Sequence, residues 1–194
     1  MVNNINNTKK EEVDISEWVE YKLGDLFDVS IAKSIDKGKV KEDLKGINYI
    51  TRKSTNNGLE YRVKKIELKI NTGNCITMAM IGSKGTCFYQ EENFLSSQNM
   101  LIFRNNNINE KIGKYLSVII EKIYKISTDY NAIKKDLVLK DKLKLPSKVI
   151  SNDDGVFEYE PNWEYMENYI TDLEENLNSM EIKNKIEKQT KLKK

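Results

Sequence analysis

Residues 75–90, CITMAMIGSKGTCFYQ, decide the fold. The run 75–81 is apolar apart from Thr77 and is bounded by the glycine-punctuated turn GSKG at 82–85. It is too short for an ordinary helix and too continuous for a half-exposed strand, so it reads as a buried strand. Residues 86–90 return as a second strand. Working outward, 100–103 and 47–51 read as further strands. Asn57 and Gly58 between them give a strong hairpin signal, because both central positions of a tight type I′ turn need positive φ. On the N-terminal side, Trp18, Tyr21, Leu23, Leu26, Phe27 and Val29 form a packed entry segment, with a short helix near 23–27. Residues 31–46 are polar, basic and broken by glycine, and are expected as an exposed loop. On the C-terminal side, Ile112, Tyr115, Leu116, Ile119, Ile120 and Ile123 recur at helical spacing. A short helix near 133–139 then precedes a last strand ending at Pro146. The domain is α+β, with strands dominating its centre.

A different element follows. Residues 151–160 read as an acidic linker, and Pro161 suits the first position of a helix, where its missing N–H costs nothing. Trp163, Met166, Ile170, Leu173, Leu177 and Met180 are spaced 3, 4, 3, 4 and 3 apart. That is a heptad seam, the pattern of a helix that pairs with another helix. An intramolecular core face is the alternative. The organisation expected is a mobile tail at 1–15, a folded α+β domain at 16–150, the acidic linker at 151–160 and a long pairing helix at 161–190.

Charge is segregated behind a net value of +2 in 194 residues. Residues 31–70 hold eleven Lys/Arg against five Asp/Glu, and 134–150 hold six against two. Residues 151–181 hold ten acids and no base, and 182–194 hold six lysines against Glu187. Basic stretches inside a folded segment fit either a polyanionic partner or a solvated surface. No apolar stretch approaches the roughly 20 residues that span a bilayer, and 1–10 lack a signal-peptide core, so the expected location is the cytoplasm.

The motifs of catalysis are missing. There is no histidine, which removes imidazole acid–base chemistry and imidazole metal sites. Cys75 and Cys87 match neither a disulfide framework nor a CxxC spacing, and read as two reduced thiols in or beside strands. Pro146 and Pro161 stand apart, so the Asn/Asp-Pro-Pro-aromatic site of an amino-methyltransferase cannot form. Neither a GxGxxG nor a Walker lysine loop is present. Glu91/Glu92 and Asp153/Asp154 are carboxylate pairs in loops, best read as surface charge. No catalytic residue, metal site or cofactor is expected.

Several segments, in order, carry a family likeness. They are Trp18, YKLGDLFDVS at 21–30, INYITRKSTNNG at 47–58, CITMAMIGSKGTCFYQ at 75–90, FLSSQNMLIF at 94–103, LKDKLKLP at 139–146 and PNWEYMENYI at 161–170. Together they resemble a target-recognition domain of type I restriction-modification specificity subunits, a family shared with type IIB-like systems. The resemblance implies a curved, mainly antiparallel sheet with flanking helices, followed by a long C-terminal coiled-coil helix. It also implies that DNA is read through loops on one side of the sheet. The methyltransferase, and any nuclease, would then lie in other subunits. A full specificity subunit holds two such domains and two long helices. With one of each, this chain resembles a half-subunit that pairs with itself or with a second half, or a piece of a longer chain.

Base reading needs side chains that donate and accept hydrogen bonds beside cations that hold phosphates. Arg52, Lys53, Ser54, Thr55, Asn56 and Asn57 supply both kinds. Lys33 and Ser34, with Lys37 and Lys39 beyond them, form a second loop. Lys84 is a third basic point, Gln98 and Asn99 a fourth group, and Tyr130, Asn131, Lys134 and Lys135 a fifth. Singly, each group also fits an ordinary hydrophilic loop, and Asn56 and Asn57 fit turn geometry alone. The resemblance favours DNA contact for the set. The expected partners are double-stranded DNA, a modification methyltransferase subunit and, where cleavage accompanies modification, a restriction subunit. The competing readings are a regulator or decoy that occupies the partner enzyme's specificity-subunit site, and a helix-mediated scaffold without DNA binding.

Overall fold

The structure, a computed structural model, describes residues 15, 18–125, 131–153 and 155–192. Its elements run β1 (Val19–Lys22), α1 (Leu23–Leu26), β2 (Asp28–Ile31), β3 (Glu42–Ile50), β4 (Leu59–Val63), β5 (Cys75–Ala79), β6 (Cys87–Gln90), β7 (Phe94–Ser96) and β8 (Met100–Arg104). They continue with α2 (Glu110–Lys125), α3 (Lys135–Val138), β9 (Lys142–Leu145), β10 (Ser147–Asp153), β11 (Val156–Pro161) and α4 (Trp163–Leu192). The expected α+β class holds. The expected tail at 1–15 lies outside the described residues apart from Ile15, as does Tyr130.

Alternation of side chains along two strands builds the layers. β5 sits inside a four-stranded antiparallel sheet of order β2-β8-β5-β6. On one face, Ile76, Met78, Leu101 and Phe103 meet Ile112, Leu116 and Ile120 of α2. On the other, Cys75, Ala79, Met100 and Ile102 meet Ile50 and Phe94. Those two residues belong to a second, three-stranded sheet of order β4-β3-β7, in which β3 runs antiparallel to β4 and parallel to β7. Its outer side closes on Tyr49, Val63 and Leu95. The molecule is therefore a stack of helix, sheet and sheet. All five residues of β5 are buried because β5 lies in the middle of that stack, which is why its sequence lacks polar alternation. Burying one such Ile, Leu or Phe side chain contributes about 1.5–3 kcal/mol. Cys75 and Cys87 are buried free thiols. Burial pushes the Cys75 thiol up to about 11, and the Cys87 thiol upward as well.

Four local expectations are corrected. The β3–β4 connection is not a two-residue type I′ turn. It is a longer loop closed by three consecutive left-handed residues, Asn56, Asn57 and Gly58, at φ 51°, 53° and 72°. The loop expected over 31–46 is shortened, because β3 begins at Glu42 and Lys64 N–H donates back to Lys41. Residues 151–160 are not a free linker: β10 and β11 pair antiparallel as a hairpin from Ser147↔Pro161 to Asp153↔Val156. Its apolar residues alternate with charged ones closely enough to form a ribbon, with Val149 opposite Tyr159. Pro161 ends that hairpin instead of opening the helix, and Asn162 caps α4 by accepting the Tyr165 N–H at 3.0 Å.

The heptad seam divides in two. Met166 is fully buried, and Trp163 and Ile170 pack on the main core. Tyr169 meets Tyr115 of α2 edge to face, and Lys111 and Lys114 of α2 bond Thr171 and Glu174 at 2.7 and 2.8 Å. Farther along, Leu177 and Met180 are 62% and 61% exposed. The first half of the seam thus serves the intramolecular core, and only the second half presents an unpaired face.

Candidate nucleic-acid interface

Loops from both larger sheets end at one place. The segments after β2, β3, β5 and β7 converge on an open cleft of about 570 Å³, lined among others by Asp36, Lys37, Arg52, Lys53, Glu60 and Gln98. Topology explains the convergence. β3 and β7 are parallel neighbours, so the residues following both emerge at the same end. Ser97 N–H donates to the Ile50 carbonyl at 2.9 Å, and Thr51 N–H to the Gly58 carbonyl at 2.8 Å.

The loops are braced. Asn57 is spent on structure: its amide donates to the Tyr89 carbonyl at 3.0 Å, and Gln90 Nε2 donates back to the Asn57 carbonyl at 3.1 Å. Gln90 is itself buried and bonded to Thr77 Oγ1 at 3.2 Å. Left-handed backbone at Asn56 and Asn57 is tolerated because asparagine visits that region more readily than other residues with a Cβ. The segment after β2 is clamped by buried Asn71, which accepts the Lys33 N–H at 2.8 Å and donates to the Lys33 carbonyl at 3.0 Å. Tyr49 Oη donates to the Ile35 carbonyl at 2.8 Å, one residue before Asp36. Burial raises the Tyr49 phenol, so that donor stays protonated.

Charges within the cleft answer one another. Glu60 accepts Lys37 Nζ at 2.5 Å and has Lys53 Nζ at 3.9 Å. The Lys37 hydrogen bond holds the Glu60 carboxyl below its usual range and the Lys37 ammonium above its own. Asp36 accepts Gln98 Nε2 at 2.7 Å and has Lys39 Nζ at 3.8 Å.

Of the residues expected from sequence, Lys37, Arg52, Lys53 and Gln98 line the cleft. Lys33 and Ser34 lie just before it, with Ser34 bridged to Ser96. Ser54 and Thr55 are exposed in the braced loop beside it, and Asn99 is exposed at φ 62° just past Gln98. Lys84 follows Gly82 and Ser83, which do line the cleft, and is half-buried. Ile133 N–H donates to the Met80 carbonyl, which seats exposed Asn131 and Lys134 and half-buried Lys135 near that turn without making them cleft residues. Sequence reading missed Asp36, Tyr49, Glu60 and Asn71. A lone acid among lysines reads as surface charge, and its partners are separated by up to 62 positions.

The braced loops of two sheets meet at one polar cleft, and the long helix α4 packs on α2. The whole-chain comparison gives the family: residues 15–188 match the type I restriction modification DNA specificity domain, and the chain belongs to that family. It is 27% identical over 165 residues to the specificity subunit S.BcgI of the type II restriction enzyme BgcI from Heyndrickxia coagulans. That alignment takes in 84% of this chain and 46% of the relative, so the chain spans about half the length of the curated relative it matches. Among solved structures it resembles the type I restriction-modification S subunit from M. genitalium, with TM-score 0.52 and 17% identity over 70% of this chain and 36% of that one. It also resembles the HsdS subunit from Thermoanaerobacter tengcongensis, with TM-score 0.56 and 12% identity over 88% and 41%. At those identities the likeness concerns the fold. Among the described residues no helix is long and apolar enough to cross a membrane.

Proposed function

We propose that this chain reads one part of a double-stranded DNA target on behalf of a modification methyltransferase whose chemistry lies in other subunits. The observation that carries the reading is the convergence of four loop segments, with Arg52, Lys53 and Gln98 among them, on one braced cleft. Loops held on a rigid scaffold are where sequence readout is made, because base-edge hydrogen bonds need donors fixed in place. Lys33, which precedes the cleft segment, Lys84, which follows the lining residues Gly82 and Ser83, and Lys134 and Lys135 beyond them are the cations assigned to phosphates in this reading. The exposed second half of the α4 seam, with Leu177 and Met180, is the element that docks the methyltransferase or pairs with a second recognition module, in either a homodimer or a complex with another half.

The test is duplex binding by the whole chain, followed by fluorescence anisotropy at fixed salt. The triple variant Arg52→Glu, Lys53→Glu, Lys84→Glu is expected to lose binding while its urea unfolding midpoint stays close to that of the wild type. Unchanged duplex affinity in a folded triple variant would refute the reading.

A further inference from the structure

We infer that Arg52 is a base-reading side chain and that the base it reads is guanine. The inference rests on the DNA-recognition reading above and goes one step further, to a single residue and base. The cleft is lined by three cations, Lys37, Arg52 and Lys53, and two carboxylates, Asp36 and Glu60. Glu60 takes both lysines. Asp36 takes Gln98, with Lys39 beside it. Arg52 is left over: half-buried, it makes no hydrogen bond or ion pair to any described residue. With no partner among the described residues, its donors are available to an arriving acceptor.

Two features select the acceptor. The guanidinium is a planar fork of donors, which matches two acceptors lying side by side in one plane. Guanine offers that pair, O6 and N7, in the major groove, and a phosphate offers a pair as well. Asp36 and Glu60 line the same cleft and decide between them. Glu60 is set against Lys37 and Lys53, and Asp36 lies beside Lys39, so the cleft shows less positive charge than its cations alone would give. That lowers its pull on a phosphate and leaves its hydrogen bonding to an uncharged base edge untouched. The backbone of Arg52 is also fixed. It follows Ile50 and Thr51 at the end of β3, where the bonds from Ser97 to Ile50 and from Thr51 to Gly58 hold the strand end. The returning loop is latched through Asn57 to β6. A held strand end limits where the fork can reach, which suits readout of a base edge at one position.

The experiment is selection of bound duplexes from a random pool by the whole wild-type chain, by Arg52→Ala and by Arg52→Lys. The wild type is expected to select a sequence containing guanine at a fixed position. Arg52→Ala is expected to bind that sequence about 5- to 150-fold more weakly and to lose the preference at that position only. Arg52→Lys, which keeps the charge and loses the fork, is expected to lose the same preference. Replacing that guanine by 7-deazaguanine removes N7, and should weaken the wild type while leaving Arg52→Ala unaffected. A uniform loss across all duplexes in Arg52→Ala, with the selected sequence unchanged, would make Arg52 a phosphate contact and overturn the inference while leaving DNA recognition standing. So would a selected sequence indifferent to 7-deazaguanine. A wild-type chain that selects no sequence would bring down the recognition reading itself, and the inference with it.

Discussion

Arg52 and Lys53 are neighbours in the chain, yet Lys53 leans toward Glu60 while no ion pair joins Arg52 to a described residue. Glu60 is therefore the residue that regulates how much positive charge the cleft shows. Its carboxyl is held below the ordinary 4.5 by Lys37, so the ion pairs exist above that value and are lost as pH falls through the lowered one. Glu60→Gln reproduces the acid form at neutral pH. It is expected to raise affinity for non-specific duplex and to steepen the salt dependence by about one to two phosphate contacts, read from log affinity against log salt between 50 and 200 mM. A variant with an unchanged slope would show that Lys37 and Lys53 face away from DNA. Sequence reading put Arg52, Lys53 and Gln98 in the candidate set because their types suit base edges. It had no means of seeing that Asp36 and Glu60 answer them, since those partnerships depend on loops from different strands meeting.

The helices show the same division between local pattern and contact. In α2, a Cβ added at Gly113 would sit 2.2 Å from the Tyr89 ring, which is anchored by its hydroxyl to Asn74 at 2.9 Å. Alanine gains about 0.8–1.0 kcal/mol of helix propensity over glycine, but overpacking against an anchored ring costs about 1–3 kcal/mol. Gly113→Ala is expected to lower stability by up to about 2 kcal/mol, measured as a fall in the urea midpoint. In α4 the heptad spacing is continuous, and its two halves nevertheless have different fates. Met166→Ala removes a fully buried side chain and should cost about 2–5 kcal/mol. Leu177→Asp alters an exposed position and should change stability of the isolated chain by about 0.5 kcal/mol or less. Equal effects at the two positions would contradict the division. Apolar residues at 3–4 spacing report a buried stripe and say nothing about whether the covering surface is α2 or another molecule. The β10–β11 hairpin escaped notice for a related reason: acids at 153, 154, 158 and 160 mask the alternating Val149, Phe157 and Tyr159.

Across the whole molecule, the basic stretch 31–70 contributes to the loop end and the acidic stretch 151–181 runs through the hairpin and the helix. If the free half of α4 pairs copies of this chain, light scattering over a concentration series will show a dimer in the wild type and a monomer in Leu177→Asp, Met180→Asp. A wild-type monomer at all concentrations would leave the helix to a different partner. What the sequence by itself determined was the α+β class, the four helices, five of the eleven described strands (β3, β5, β6, β8 and β9) and the family. Each follows from short-range periodicity, turn chemistry or ordered motifs, all of which are written along the chain. The tertiary structure alone decided which face of the seam is already covered, that Asn57 serves as a brace, and that within the cleft no ion pair joins Arg52 to a described residue. Those outcomes depend on pairings across tens of residues, where distance in space and not spacing in sequence sets the energy.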